Sequence, residues 1–305
     1  MTTNSSNIPD RTHVLTEQRN ARTMRIHEQS VAEIVQSIQE EDRGIVDAMA
    51  RSQAAIIKLI EAIEQGFLIG GRVVYLGAGT SGRLGVLDAS EIPPTFQLPP
   101  GRFVGIIAGG DGSLRNSSEG MEDDRMGAEK ELLKLGLSRP DAVIGIAAGG
   151  TTPYVLGAME IAKSIANPPL TAMISCSPIE KPPHCDHLVV LATGPEVITG
   201  STRMKAGTAT KLALNQISTT LMIRSGRVFE NLMVDVKASN VKLRDRAARI
   251  IVTLTGVSRE EAFGLIDEAQ GSVKLAVVMK RLGLGREDAQ VKLNAAGGHL
   301  HRALG

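Results

Sequence analysis

The 305-residue chain contains no tryptophan, two tyrosines and five phenylalanines, so its core has to be aliphatic. It has two cysteines, Cys176 and Cys185, too few for a disulfide framework. It lacks an excess of either charge: the formal net charge is +1. That leaves no global basic field for nucleic acid and no acidic balance for a basic partner. No apolar run approaches the roughly 20 residues that a membrane-spanning helix needs. Residues 1–11 are polar and carry no apolar stretch of the signal-peptide kind. A soluble, cytoplasmic protein with no nucleic-acid or membrane partner is expected. No internal repeat or low-complexity segment stands out, and the composition is neither disordered nor fibrous.

Glycine is abundant, at 32 residues, which suits a fold with many strand-to-helix turns. The length allows one large or two ordinary domains. Residues 1–29 are polar and mixed in charge and read as a flexible N-terminal segment. Val31, Ile34, Val35 and Ile38 have one-sided helical spacing, as do Ile56, Leu59, Ile60 and Ile63. They predict helices over 30–41 and 43–66 that pack against a sheet or a partner subunit. Strands are predicted over 72–76, 103–107, 142–147, 170–176 and 187–191. Helices are predicted over 81–87, 117–135, 153–165 and 202–223. Pro153 at a first helical position after Thr152 is a start signal. Apolar strands alternating with helices predict an α/β fold, a doubly wound parallel sheet flanked by helices.

Beyond Val228 the pattern becomes helical. Ser258 and Glu261 have capping-box spacing, and helices over 258–270, 273–282 and 286–296 predict a small bundle. The basic run Lys237, Lys242, Arg244, Arg246 and Arg249 reads as a solvated helix face in preference to a binding patch. The patch His184-Cys185-Asp186-His187 lacks a second ligand group at zinc spacing and reads as a loop entering a strand.

Two glycine loops follow predicted strands, where ligands of parallel sheets bind. The first, Gly77-Ala78-Gly79-Thr80-Ser81-Gly82-Arg83, also spells the dinucleotide fingerprint G-x-G-x-x-G. The acidic residue that should meet a ribose at the end of the second strand is missing, and Asp111 lies too far on. The second loop, Gly149-Gly150-Thr151-Thr152-Pro153, repeats small residues and hydroxyls before a helix. Helix N-termini attract anions through free N–H groups and the macrodipole. Gly79, Thr80, Ser81, Gly149, Gly150, Thr151 and Thr152 are therefore candidate phosphate ligands; two tight strand–helix turns are the other reading. The stretch 194–208 is dense in small and polar residues. Ser201 and Lys205 are candidate substrate contacts there, against a capped helix with exposed basic residues. Glu91, before Pro93-Pro94, and Glu119 and Glu122 are candidate proton-transfer carboxylates, the last two sharing a face if they lie on a helix.

Longer stretches are more specific. Gly77 to Glu91, Pro93-Pro94-Thr95, Ala108-Gly109-Gly110, Glu119 to Asp123, Thr152-Pro153-Tyr154-Val155, Gly200 to Thr208, Thr255 to Ala262 and Val273 to Ala276 together resemble the N-acetylmuramic acid 6-phosphate etherases. The resemblance covers nearly the whole chain after its first few dozen residues. It implies a sugar isomerase (SIS) fold over 30–228, a C-terminal helical domain of ubiquitin-associated-like shape over 229–305, and a homodimer. It implies no metal and no organic cofactor. The implied substrate is a small sugar phosphate that loses D-lactate from a C3 ether, in cell-wall amino sugar recycling. Glu91 matches the family's acid that protonates the leaving lactate, and Glu122 its second catalytic carboxylate, the base; Glu119 is a reserve. Many members carry Ser-Gly-Arg-Thr-Pro where this chain has Gly149 to Pro153, so a hydroxyl and a guanidinium are absent there. Rival readings are a non-catalytic sugar-phosphate-binding regulator of the same fold and an aldose–ketose isomerase.

Overall fold

Val73, Val74, Tyr75 and Leu76 are wholly buried and form strand β1 (Val73–Gly77), the centre from which the first half of the molecule is built. The computed structural model describes residues 11–118, 120–236 and 240–305. The chain divides into two units, Met1–Ser90 with Gly101–Ile217 and Glu91–Pro100 with Ser218–Gly305.

In the first unit, α1 (Val31–Asp42) starts at a full capping box formed by Ser30 and Glu33. It is followed by α2 (Gly44–Leu68), β1 and α3 (Gly79–Phe96). Then come β2 (Phe103–Ile107), α4 (Glu129–Leu135), β3 (Ala142–Ile146), α5 (Pro153–Ser164), β4 (Leu170–Ser175), β5 (His187–Val190) and α6 (Lys205–Arg224). The five strands are all parallel, in the order β2-β1-β3-β4-β5. Helix α2 packs on β4 and β5, and α5 on β1, β3 and β4. The sheet is the expected doubly wound α/β layer, with near-continuous aliphatic strands because helices cover it. Its order reverses between β1 and β3, the switch point at which such sheets bind ligands. Gly82 of α3 sits so close to β1 that an added β-carbon would lie 2.5 Å from the Gly77 carbonyl oxygen.

Residues 11–29 are not a flexible tail. They form 3₁₀ turns at Leu15–Glu17, Ala21–Thr23 and Ile26–Glu28, with Val14, Thr16, Asn20 and Thr23 buried. Asn20 Nδ2 donates to the Pro195 carbonyl (3.4 Å) and Thr23 Oγ1 to that of Val197 (2.8 Å), so buried polar groups find partners far along the chain. The expectation for residues 1–10 lies outside the described residues. The helix expected over 117–135 is confined to α4, preceded by a 3₁₀ turn at Met121–Asp123. Gly120 is left-handed, and the Met126 amide donates to Asp124 Oδ1 (2.9 Å), a local bond that competes with helix. Glu122 therefore sits on a 3₁₀ turn, and the expectation that it shares a helix face with Glu119 falls on a residue outside those described.

In the second unit the tail of α3 carries Pro93 and Pro94 and runs on to Phe96, past the expected end at Leu87. Arg227 Nη1 donates to the carbonyls of Phe96 (2.7 Å) and Gln97 (3.1 Å). A cation thus meets carbonyls that helix ends leave free. A two-residue hairpin, β6 (Val228–Phe229) and β7 (Leu232–Met233), interrupts the expected all-helical pattern. Then follow α7 (Val241–Thr255), α8 (Arg259–Glu268), α9 (Val273–Leu282), α10 (Arg286–Ala295) and α11 (Leu300–Leu304). Helix α9 is the core of this unit, with Val273, Leu275, Ala276, Val277, Val278 and Met279 buried. Ser258 Oγ accepts from the Glu261 amide (3.1 Å), while the Glu261 carboxylate goes to Lys280. Of the basic run, Arg244 and Arg249 pair with Asp267 and Asp245, and Lys237 lies outside the described residues.

Candidate active site

The loops after β1 and β3 flank the switch point and open into one cavity of about 220 Å³. Gly79, Thr80 and Ser81 line it from the first turn of α3, and Gly149, Thr151 and Thr152 from the approach to α5. Both helices begin there, so two sets of free N–H groups and two positive dipole ends share one space. Thr152 stands at the N-cap of α5 yet makes no side-chain capping bond. Among the described residues, the hydroxyls of Thr80, Ser81 and Thr151 are likewise uncommitted. Four donors without internal partners face a cavity at two helix starts. That arrangement can take the oxygens of a phosphate.

Glu122 and Asp123 enter the same cavity from the 3₁₀ turn before α4. Gly200 and Thr202 form a further wall. Gly200 has φ +76, a conformation that favours glycine, and its amide donates to the Thr16 carbonyl (3.0 Å). The N-terminal segment brings Arg11, Val14 and Glu17 into the lining.

The other candidates stand elsewhere. The carbon that would extend from Gly150 meets Ile179 Cδ1 at 2.6 Å, away from the lining. Ser201 lies in the turn before α6, where its amide donates to the Ile198 carbonyl (2.9 Å), and is outside the lining. Lys205 is neither in the lining nor exposed: its ammonium is buried against Glu41 Oε2 at 2.6 Å. Glu91 belongs to the second unit and is not among the lining residues.

Three acidic residues at or behind the walls carried no signal in the sequence. Glu41 lies near the end of α1 and accepts Arg22 Nε (2.5 Å) as well as Lys205. Burial by itself would push the Glu41 carboxyl up, but the bonds from Arg22 and Lys205 outweigh it and hold the group below the usual carboxylate range. Glu196, fully buried, accepts the amides of Lys205 (3.0 Å) and Ala206 (2.9 Å) and so caps α6 from nine and ten residues upstream. Its burial raises its pKa despite those two amides. A cap at that separation has no local signature, because capping patterns are read over neighbouring residues. Glu17 falls in the polar N-terminal stretch, where nothing marks one acid from another. The Cys185 patch is structural: Asp186 accepts Lys163 Nζ (2.5 Å) and the Thr171 amide (2.9 Å).

The model of the family described as "Glucokinase regulatory protein N-terminal SIS domain" matches residues 53–163, a span that includes both glycine loops. The N-acetylmuramic acid 6-phosphate etherase of Synechococcus sp. (strain CC9605) is 48% identical over 296 residues, covering 97% of this chain and 93% of that one. The enzyme of the same name from Serratia proteamaculans (strain 568) is 46% identical, covering 95% and 98%. That of Synechococcus sp. (strain CC9902) is 49% identical, covering 92% and 89%. Identity close to one half extends over 92–97% of the chain in these three relatives. The chain belongs to the N-acetylmuramic acid 6-phosphate etherase family.

Proposed function

We propose that this chain is a carbon–oxygen lyase that cleaves the C3 lactyl ether of N-acetylmuramic acid 6-phosphate. The products are N-acetylglucosamine 6-phosphate and D-lactate, formed by elimination of lactate and then addition of water. The observation that carries the reading at the site is the cavity itself. Two helix N-termini and four uncommitted hydroxyls form its phosphate end, and the Glu122 carboxylate enters the same space.

Gly79, Thr80 and Ser81 on one side, and Gly149, Thr151 and Thr152 on the other, hold the phosphate. Backbone amides and Thr151 stand in for the hydroxyl and guanidinium that many relatives carry in the second loop. In the open-chain sugar the C2 proton is α to the C1 aldehyde and acidic enough for a carboxylate to remove; Glu122 is that base. The lactyl oxygen at C3 is β to the same carbonyl and leaves once protonated. Glu91 takes that acid role on the strength of its motif, Asp88-Ala89-Ser90-Glu91. Water then adds to the unsaturated aldehyde at C3, and the same two groups serve in reverse. Gly150, Ser201 and Lys205 shape the walls and do not contact the substrate. No metal or organic cofactor takes part in this scheme.

The enzyme acts in cytoplasmic amino sugar recycling, where phosphorylated sugars are retained. Among the described residues, no helix is long and apolar enough to cross a membrane. A homodimer accounts for the exposed Val46, Ile57 and Leu68, spaced eleven residues apart on α2 and so aligned along one face. Sedimentation velocity at a mass near that of one chain would remove the dimer.

The test of function is lactate release from N-acetylmuramic acid 6-phosphate by the purified protein. Glu122→Gln should lower the rate on the order of a thousandfold and stop exchange of the C2 proton with solvent deuterium. No lactate from the unmodified protein at high enzyme concentration would overturn the reading.

A further inference from the structure

Elimination needs two carboxylates, and the cavity holds two that neither step uses, Asp123 beside Glu122 and Glu17 on the opposite segment of the chain. Glu17 sits on a segment fixed from both sides. The Thr16 amide donates to Ser177 Oγ (3.3 Å), and the Thr16 carbonyl accepts the Gly200 amide (3.0 Å). Val14 is buried against the second glycine loop, its Cγ1 3.2 Å from where a β-carbon on Gly149 would stand. Glu17 follows directly, lines the cavity, and places Oε2 3.1 Å from the corresponding point on Gly200. Among the described residues no hydrogen bond or ion pair takes up its carboxylate.

A free carboxylate in a phosphate-binding cavity repels the ligand unless it meets a neutral donor. The hydroxyls of the sugar are such donors, and one of them has to react before elimination can begin. A hexosamine 6-phosphate is held chiefly as the cyclic hemiacetal, whereas removal of the C2 proton needs the C1 aldehyde. On the etherase reading of this site, we propose that Glu17 opens the sugar ring. Its carboxylate takes the proton from the C1 hydroxyl. The O1 electron pair forms the C1–O1 double bond, the C1–O5 bond breaks with its pair on O5, and the proton returns from Glu17 to O5. No proton is gained or lost, and the carboxylate is regenerated. One group serves both oxygens because O1 and O5 are borne by the same carbon, as are the two oxygens of a carboxylate. Glu122 then meets an open-chain aldehyde.

Ring opening can be read without elimination. The anomers of N-acetylglucosamine 6-phosphate interconvert through the open chain, so magnetisation transfer between their anomeric protons reports that step alone. The unmodified protein should accelerate the exchange. Glu17→Gln, isosteric and on an exposed side chain, should slow it on the order of a hundredfold with an unchanged melting curve and unchanged calorimetric affinity for this sugar phosphate. Glu17→Asp should recover part of the rate. Exchange at the unmodified rate in Glu17→Gln overturns the proposal, as does a loss that follows a loss of affinity, which makes Glu17 a binding group. Lactate release without accelerated exchange in the unmodified protein also overturns it. Accelerated exchange without lactate release sustains ring opening and removes the etherase reading instead.

Discussion

The Lys205–Glu41 ion pair and those on the C-terminal helices have similar contact distances and opposite environments. Lys205 and Glu41 meet at 2.6 Å with their side chains 3% and 2% exposed. Arg244 and Asp267 meet at 2.7 Å with theirs 39% and 63% exposed. Water competes for the second pair and contributes little to the first. Each buried charge carries a large desolvation cost that only complete pairing offsets. Glu41 is accordingly paired on both oxygens, by Lys205 and Arg22. The network joins the end of α1, the 3₁₀ turns of the N-terminal segment and the start of α6. The surface pairs join neighbouring helices and leave the positions of α7 and α8 to apolar packing by Ala247, Ile251, Ala262 and Ile266.

The largest expected effect breaks the buried pair from one side. Lys205→Ala leaves Glu41 buried with Arg22 as its one remaining cation, beside the Asn20 amide, and should lower the unfolding free energy by about 3–5 kcal/mol, read by denaturant titration. Replacing both partners by apolar residues of similar size, Glu41→Leu with Lys205→Met, should restore most of that loss. If the double variant is as unstable as the single one, the fold there depends on the charges themselves.

Next comes the response to acid. The Glu41 carboxyl is held below its ordinary range, as is Asp141, whose burial is outweighed by Arg72 and the Ser138 and Arg72 amides. For both, the unfolded chain binds protons more readily as the pH falls. Their contribution is complete above the ordinary carboxylate pKa and is lost as the pH drops through the folded values. Glu196, raised by burial, acts with the opposite sign: it favours the folded state at low pH and loses that contribution as the pH rises through its folded value. Melting temperature should therefore fall from neutral pH into the acid range. Lys205→Ala should flatten that fall, since Glu41 is then less depressed; an unchanged slope would argue against the assignment. The smallest effect belongs to the surface. Asp267→Asn should leave the melting temperature within measurement error, and a clear drop would show that the exposed pairs bear on stability after all.

Much of the fold was legible because its signals are local. The strand limits predicted from aliphatic runs agree with the structure to within a residue at each end. Pro153 and Ser258 mark helix starts by short-range chemistry. The first glycine loop was legible for the same reason, since Thr80 and Ser81 adjoin a strand end and a helix start. What failed was non-local or set by one backbone angle. Glu41 and Lys205 lie 164 positions apart. Glu196 caps a helix from outside any capping window. Glu122 sits on a 3₁₀ turn because Gly120 is left-handed, where periodicity alone predicted a helix.

By itself, the sequence determined the succession of strands and helices, the glycine loops at strand ends and, through its long motifs, the family. Only the tertiary structure decided which of those residues share a space. The strand order β2-β1-β3-β4-β5 sets the loops after β1 and β3 side by side across the switch point. Buried polar groups of residues 11–29 had to find partners, and those partners lie around Ser177 and the 195–200 stretch. Meeting that demand carried Glu17 into the cavity, while pairing with Glu41 of α1 kept Lys205 buried and out of the lining.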